Sequence, residues 1–147
     1  MKESDSKAEL TVEAVIANLE KVTAFVDERL DEVECPVNVQ MKMDIAIDEI
    51  FSNIAHYAYC PETGMVTVQV EFIKEPLTAC ITFIDQGIPY NPLSEPEPDT
   101  SLTTEERQIG GLGIYLVRKS MDEVCYEYRD GENILTIKKG INKEMEV

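Results

Sequence analysis

Glu49 and Asn53, in the run Asp-Glu-Ile-Phe-Ser-Asn at 48–53, stand ahead of two further polar stations, Asp85-Gln86-Gly87 and Gly110-Gly111-Leu112-Gly113. A glutamate can take a proton from an attacking hydroxyl or water. An asparagine oxygen can ligate Mg²⁺, which binds oxygen ligands and keeps room for phosphates and water. An aspartate ending an apolar strand needs a partner, and a base's exocyclic amine is one. Glycines that open a helix expose backbone N–H groups to phosphate. Each station also has an ordinary reading: a solvated helix face, an Asp-Gln-Gly turn, a flexible joint before a helix. In this order they supply the parts needed to hold a nucleotide and its metal.

Those residues must be positioned by regular elements. Glu49 and Asn53 are four apart, so on a helix they lie one turn apart and roughly 40° apart in projection. The pattern predicts that helix over roughly 39–58, with Met43, Ile47, Ile50, Phe51, Ile54 and Ala58 on its buried stripe. An earlier helix, about 14–33, carries Val15, Leu19, Val22, Phe25, Val26 and Leu30 and is broken at Cys35-Pro36. A short strand is expected at 9–12. The strict alternation of 65–73 reads as a half-buried strand, and Lys74-Glu75-Pro76 turns into another at 77–84 that ends on Asp85. A third helix is expected from 111 to 121, then strands 124–129 and 134–139 around the turn Asp130-Gly131-Glu132-Asn133. Between them, 88–109 holds four prolines and five acidic residues, which reads as a mobile lid. The order predicts an α+β fold, a two-layer sandwich with helices on one face of a mixed sheet.

A chain of 147 residues is expected to form one domain, 1–147, with 1–7 frayed. Hydrophobic residues at 44% and charged residues at 29% describe a globular chain without a membrane-length apolar run. The polar start carries no signal-peptide pattern, so a cytoplasmic location is expected. A net charge of −16 argues against nucleic acid, where cationic side chains supply most of the affinity. It also means that a polyanionic ligand must be held locally, and it suits a basic protein partner. Cys35, Cys60, Cys80 and Cys125 lack any Cys-x-x-Cys pairing and read as reduced, mostly buried thiols.

The stations, in their order and spacing, resemble the GHKL ATPase superfamily, and Gly110–Val124 resembles the bacterial anti-sigma factor serine kinases within it. The resemblance runs from about 10 to 140. It implies the Bergerat-type ATP-binding fold, with ATP and Mg²⁺ as cofactors. It implies that Glu49 is the catalytic base, that Asn53 binds Mg²⁺, and that Asp85 recognises adenine beside Gly87, assisted by Thr136. It implies phosphate contact at Gly111, Leu112 and Gly113. Arg107, the one base in an acidic stretch, is expected either to offset γ-phosphate charge or to pair with Glu105 or Glu106. Pro89 stands where many superfamily members continue with glycine, as in the anti-sigma-kinase branch. His56 is one position off the histidine of many relatives and receives no role.

The resemblance therefore implies an ATP-dependent protein-serine kinase that phosphorylates an anti-sigma antagonist and sequesters a sigma factor, as a homodimer. Two rivals stand beside it. One is an ATP-binding regulatory module that sequesters a partner without turnover. The other is the ATPase domain of a sensor histidine kinase, against which the lack of a dimerisation helix with a phospho-acceptor speaks.

Overall fold

The computed structural model describes residues 7–74, 76–94 and 111–141. Its elements run β1 (Ala8–Glu13), α1 (Leu19–Glu32), α2 (Val37–Asn53), β2 (Met65–Ile73), β3 (Thr78–Asp85), α3 (Gly111–Ser120), β4 (Glu123–Arg129) and β5 (Glu132–Gly140). A 3₁₀ turn at 16–18 leads into α1, and a π-helical turn, Ile54–Ala58, continues α2.

α1 starts later than its apolar period suggests. Ala14 is instead buried beside the strand, where its N–H donates to Gly64 O at 2.8 Å. The helix ends in a Schellman pattern: Glu34 takes φ 57, Glu34 N–H donates to Asp31 O at 3.0 Å, and Cys35 N–H to Leu30 O at 3.1 Å. Pro36 then starts the approach to α2 in extended conformation.

The strands form one sheet in the order β1-β2-β3-β5-β4. A mixed sheet was expected, but among the described residues every pairing is antiparallel. Hairpins join β2 to β3 and β4 to β5, and hairpins enforce that direction. β3 and β4 run the same way and would pair in parallel if adjacent. β5 inserts between them. Asp130 (φ 56) and Gly131 (φ 82) make the two-residue turn that delivers it.

Side chains alternate across each strand, so one sheet face is apolar. Val66, Val68, Val70 and Phe72 of β2, Ala79, Ile81 and Phe83 of β3, and Leu135 and Ile137 of β5 share a core with the inner faces of the helices. α1 contributes Val22, Val26 and Leu30; α2 contributes Val39, Met43, Ile47, Ile50 and Phe51; α3 contributes Val117. The other face is polar: Thr11 meets Thr67 at 2.8 Å and Thr82 meets Thr136 at 3.2 Å. The two-layer arrangement is therefore as expected, with α2 central and touching both α1 and α3.

The segment after α3 is structural. Met121 is buried, while Asp122 accepts from Gly140 N–H at 2.7 Å and lies 3.8 Å from Lys139 Nζ. Of the thiols only Cys80 is buried; Cys60 and Cys125 are exposed, contrary to the expectation of mostly buried cysteines, and none is in a disulfide. Among the described residues no helix is long and apolar enough to cross a membrane.

Candidate functional site

α2 carries Glu49 and Asn53 toward its C-terminal end, with Asn53 as its last residue. Both are half-buried. Burial, and then the neighbouring Asp48 charge, push the Glu49 carboxyl above the usual carboxylate range. Facing it is the first turn of α3. A Cβ on Gly113 would overlap the Glu49 carboxylate, so glycine here leaves the space that the Glu49 side chain occupies. The first backbone N–H groups of a helix have no intrahelical acceptor. Glu49 therefore stands beside an anion-favouring helix terminus that starts at Gly111 and Leu112.

Asp85 closes β3 and is 5% exposed. Its Oδ1 accepts from Gly87 N–H at 2.9 Å and from Asn133 Nδ2 at 3.0 Å. Burial raises the Asp85 pKa, and these two hydrogen bonds oppose the rise. Oδ2 has no hydrogen bond among the described residues and is not one of the buried unpaired oxygens, so it is open to a ligand. The residues after Asp85 are tied to the end of α2. Ile88 N–H donates to Ala58 O at 2.9 Å, and a Cβ on Gly87 would strike that same carbonyl. Gln86 N–H donates to the Tyr59 hydroxyl at 2.7 Å, which in turn donates to Met65 O at 2.6 Å. Burial is the main reason that hydroxyl is held above the ordinary tyrosine range. One hydroxyl thus pins β2, the π-helical turn and the end of β3 together.

Residues 12–139 match the histidine kinase-like ATPase domain family. The chain belongs to that family. It is similar to the serine/threonine-protein kinase BtrW of Bordetella bronchiseptica, 25% identical over 99 residues, 67% of this chain and 69% of that one. It is likewise similar to the serine-protein kinase RsbW of Bacillus mycoides, 29% identical over 100 residues, 65% of this chain and 61% of that one. This chain thus aligns with less than two thirds of the length of that relative. In fold it is similar to a structure of the RsbU and RsbW domains of a Mycobacterium tuberculosis protein, with TM-score 0.65 and 15% identity, over 92% of this chain and 32% of that one.

Within this histidine kinase-like ATPase domain, the expected site residues do not all converge. Glu49, Asn53 and Gly113 lie along the α2–α3 side, and Asp85 and Gly87 lie at the end of β3, tied to the residues that follow α2. Thr136 is turned away. It faces Thr82 on the open side of the sheet, because Asn133 is the β5 residue in register with Asp85 and an odd offset reverses the face. Arg107 and most of the expected lid, 95–109, lie outside the described residues, as do residues 1–6 of the expected frayed start. Asn133, Tyr59 and Tyr126 surround the site and were not expected there. A polar residue at the buried position of a strand was the available signal for Asn133. It was hidden because both alternations of 133–139 contain apolar residues.

The residues present fit a nucleotide. An unpaired acceptor sits at one end and a helix terminus at the other, and each is approached through a glycine that no side chain could replace without a shift. They also fit magnesium held in part by phosphate. Among the described residues no group of three or more acidic, Cys or His side chains could hold a metal alone, so Asn53 would be one oxygen ligand among phosphate and water oxygens.

Proposed function

We propose that this protein is an ATP-dependent protein-serine kinase and anti-sigma regulatory factor, which phosphorylates an anti-sigma antagonist and sequesters a sigma factor. The kinase names of its relatives support the reaction class. The observation that carries it for this chain is the Glu49–Gly113 contact, which sets a carboxylate of raised pKa beside the helix terminus suited to phosphate. Sequestration and a homodimer come with the resemblance to the anti-sigma kinases. A charge of −16 suits a basic partner protein.

ATP with Mg²⁺ would supply the transferable phosphoryl group and the charge that neutralises it. The chain's own part is positioning and proton handling. Asp85 Oδ2 accepts the base's amine, Gly87 lets the ring approach, and the backbone N–H groups of Gly111, Leu112 and Gly113 face phosphate. Asn53 would offer its oxygen to the metal. Glu49 takes the proton from the substrate serine hydroxyl as that oxygen bonds to phosphorus, and ADP departs. A carboxyl of raised pKa is a better base for this than an ordinary exposed glutamate. Arg107 would offset the charge that develops on the phosphoryl oxygens.

Purified protein mixed with γ-labelled ATP, Mg²⁺ and candidate antagonists tests this directly. Label on an antagonist serine is the expected outcome. Capture of a sigma factor without transfer to any cognate antagonist would replace the kinase by a sequestering module.

A further inference from the structure

Asn133 is 7% exposed, and a buried carboxamide must have its donors and acceptors paired. Its Nδ2 donates to Asp85 Oδ1 at 3.0 Å and to Ile88 O at 2.9 Å, and lies 3.5 Å from Gly87 O. Its Oδ1 accepts from Tyr90 N–H at 3.2 Å and from the Tyr126 hydroxyl. The amide cannot be turned over. Reversal would set its oxygen against the Asp85 carboxylate and its NH₂ against the Tyr90 N–H. A carboxylate oxygen offers about two lone-pair directions. Gly87 N–H and Asn133 Nδ2 occupy both on Asp85 Oδ1.

We propose that Asn133 is a specificity-determining positioning residue, which saturates one oxygen of Asp85 so that the site accepts a 6-aminopurine and rejects a guanine. An adenine exocyclic amine needs a single acceptor, and Oδ2 is one. Guanine offers two adjacent donors, its ring N1–H and its exocyclic amine, and an aspartate grips them with both oxygens. With Oδ1 taken by Asn133 and Gly87, that two-point grip is closed. Ile88 and Tyr90, bonded to the same carboxamide, hold the backbone that would have to move to reopen it. The proposal rests on the ATP reading of this site and adds the residue that enforces its choice of base.

Calorimetry of the full chain with Mg·ATP and Mg·GTP tests it, using wild type, Asp85→Asn and Asn133→Ala. Wild type should prefer ATP, and Asp85→Asn should lose that preference. Asn133→Ala should reduce the ATP-to-GTP affinity ratio by about tenfold, the effect of one hydrogen bond to a charged group. A merely structural role would weaken both nucleotides alike and leave the ratio unchanged. Removing the Asn133 hydrogen bond also removes one influence that lowers the Asp85 pKa. Ionised Asp85 is the acceptor, so ATP affinity should then fail at a higher pH on acidification than in wild type. Among the described residues, the titratable groups that feel Asp85 are Tyr59 and Tyr126, and Glu132 acts on Tyr59. Both tyrosine hydroxyls are held above their ordinary range, and Glu132→Gln should leave the acid limb where it is. If Asn133→Ala does not fold, Asn133→Thr is read in its place. An unchanged ratio and acid limb in the Asn133 variant, with preference lost in Asp85→Asn, overturns the proposal alone. Preference retained in Asp85→Asn overturns the base-site reading beneath it.

Discussion

Glu49 and Gly113 meet with no room for another carbon between them, which makes position 113 a sensitive test of where the carboxylate must be. The obstacle to Gly113→Ala is the far end of a flexible side chain, so the fold should survive while Glu49 swings aside. Transfer rate should then fall by about 10²-fold, the scale of a misplaced catalytic group, with a small change in melting temperature. Full activity in that variant would mean that Glu49 does not act from this position. At this scale the sequence was partly readable. The spacing of Glu49 and Asn53 and the strand-ending Asp85 were visible from residue type alone. The partner of Asp85 was not, because it depends on a strand register. Thr136 and Asn133 differ by three positions, and alternation then decides which of them faces the helices.

Between α1 and α2, Asp27 and Asp44 each bury an Oδ1 with no hydrogen-bond partner. Burial first, and then the Asp27 carboxyl beside it, push the Asp44 pKa up to about 7. Two carboxyl groups this close cannot both ionise cheaply, so the native state holds a proton that the unfolded chain releases at lower pH. With the folded pKa raised above the unfolded value, this contribution to stability is complete below about pH 4 and is lost as pH rises through about 7. Asp44→Asn should remove the loss. Discounted for partial exposure, it should stabilise the protein by ~1 kcal/mol at pH 8 relative to wild type, with little gain at pH 4. Denaturant titrations at the two pH values check this, and an equal effect at both contradicts a shared proton. The helices themselves were legible because their apolar stripes are long. The start of α1 was not, since the burial of Ala14 beside the sheet is a tertiary contact that helical periodicity does not encode. Strand direction was also hidden, because β5 separates β3 from β4 through a two-residue turn whose consequence appears only in three dimensions.

Across the whole molecule, a charge of −16 sets a field that opposes ATP and attracts basic partners. Association with a basic partner protein should therefore slow by about tenfold or more between low and high salt, while association with ATP should not slow. Stopped-flow measurements over a salt series distinguish the two, and a salt-insensitive partner rate would remove charge from the account. The two-layer architecture could be read in advance because element order and amphipathic patterns are properties of the whole chain. The most direct measurement is phosphoryl transfer to a cognate antagonist by Glu49→Gln, with ATP affinity measured on the same sample. ATP binding should persist while transfer falls by about 10²–10⁴, the usual contribution of a general base. Transfer at the wild-type rate by Glu49→Gln would contradict that role.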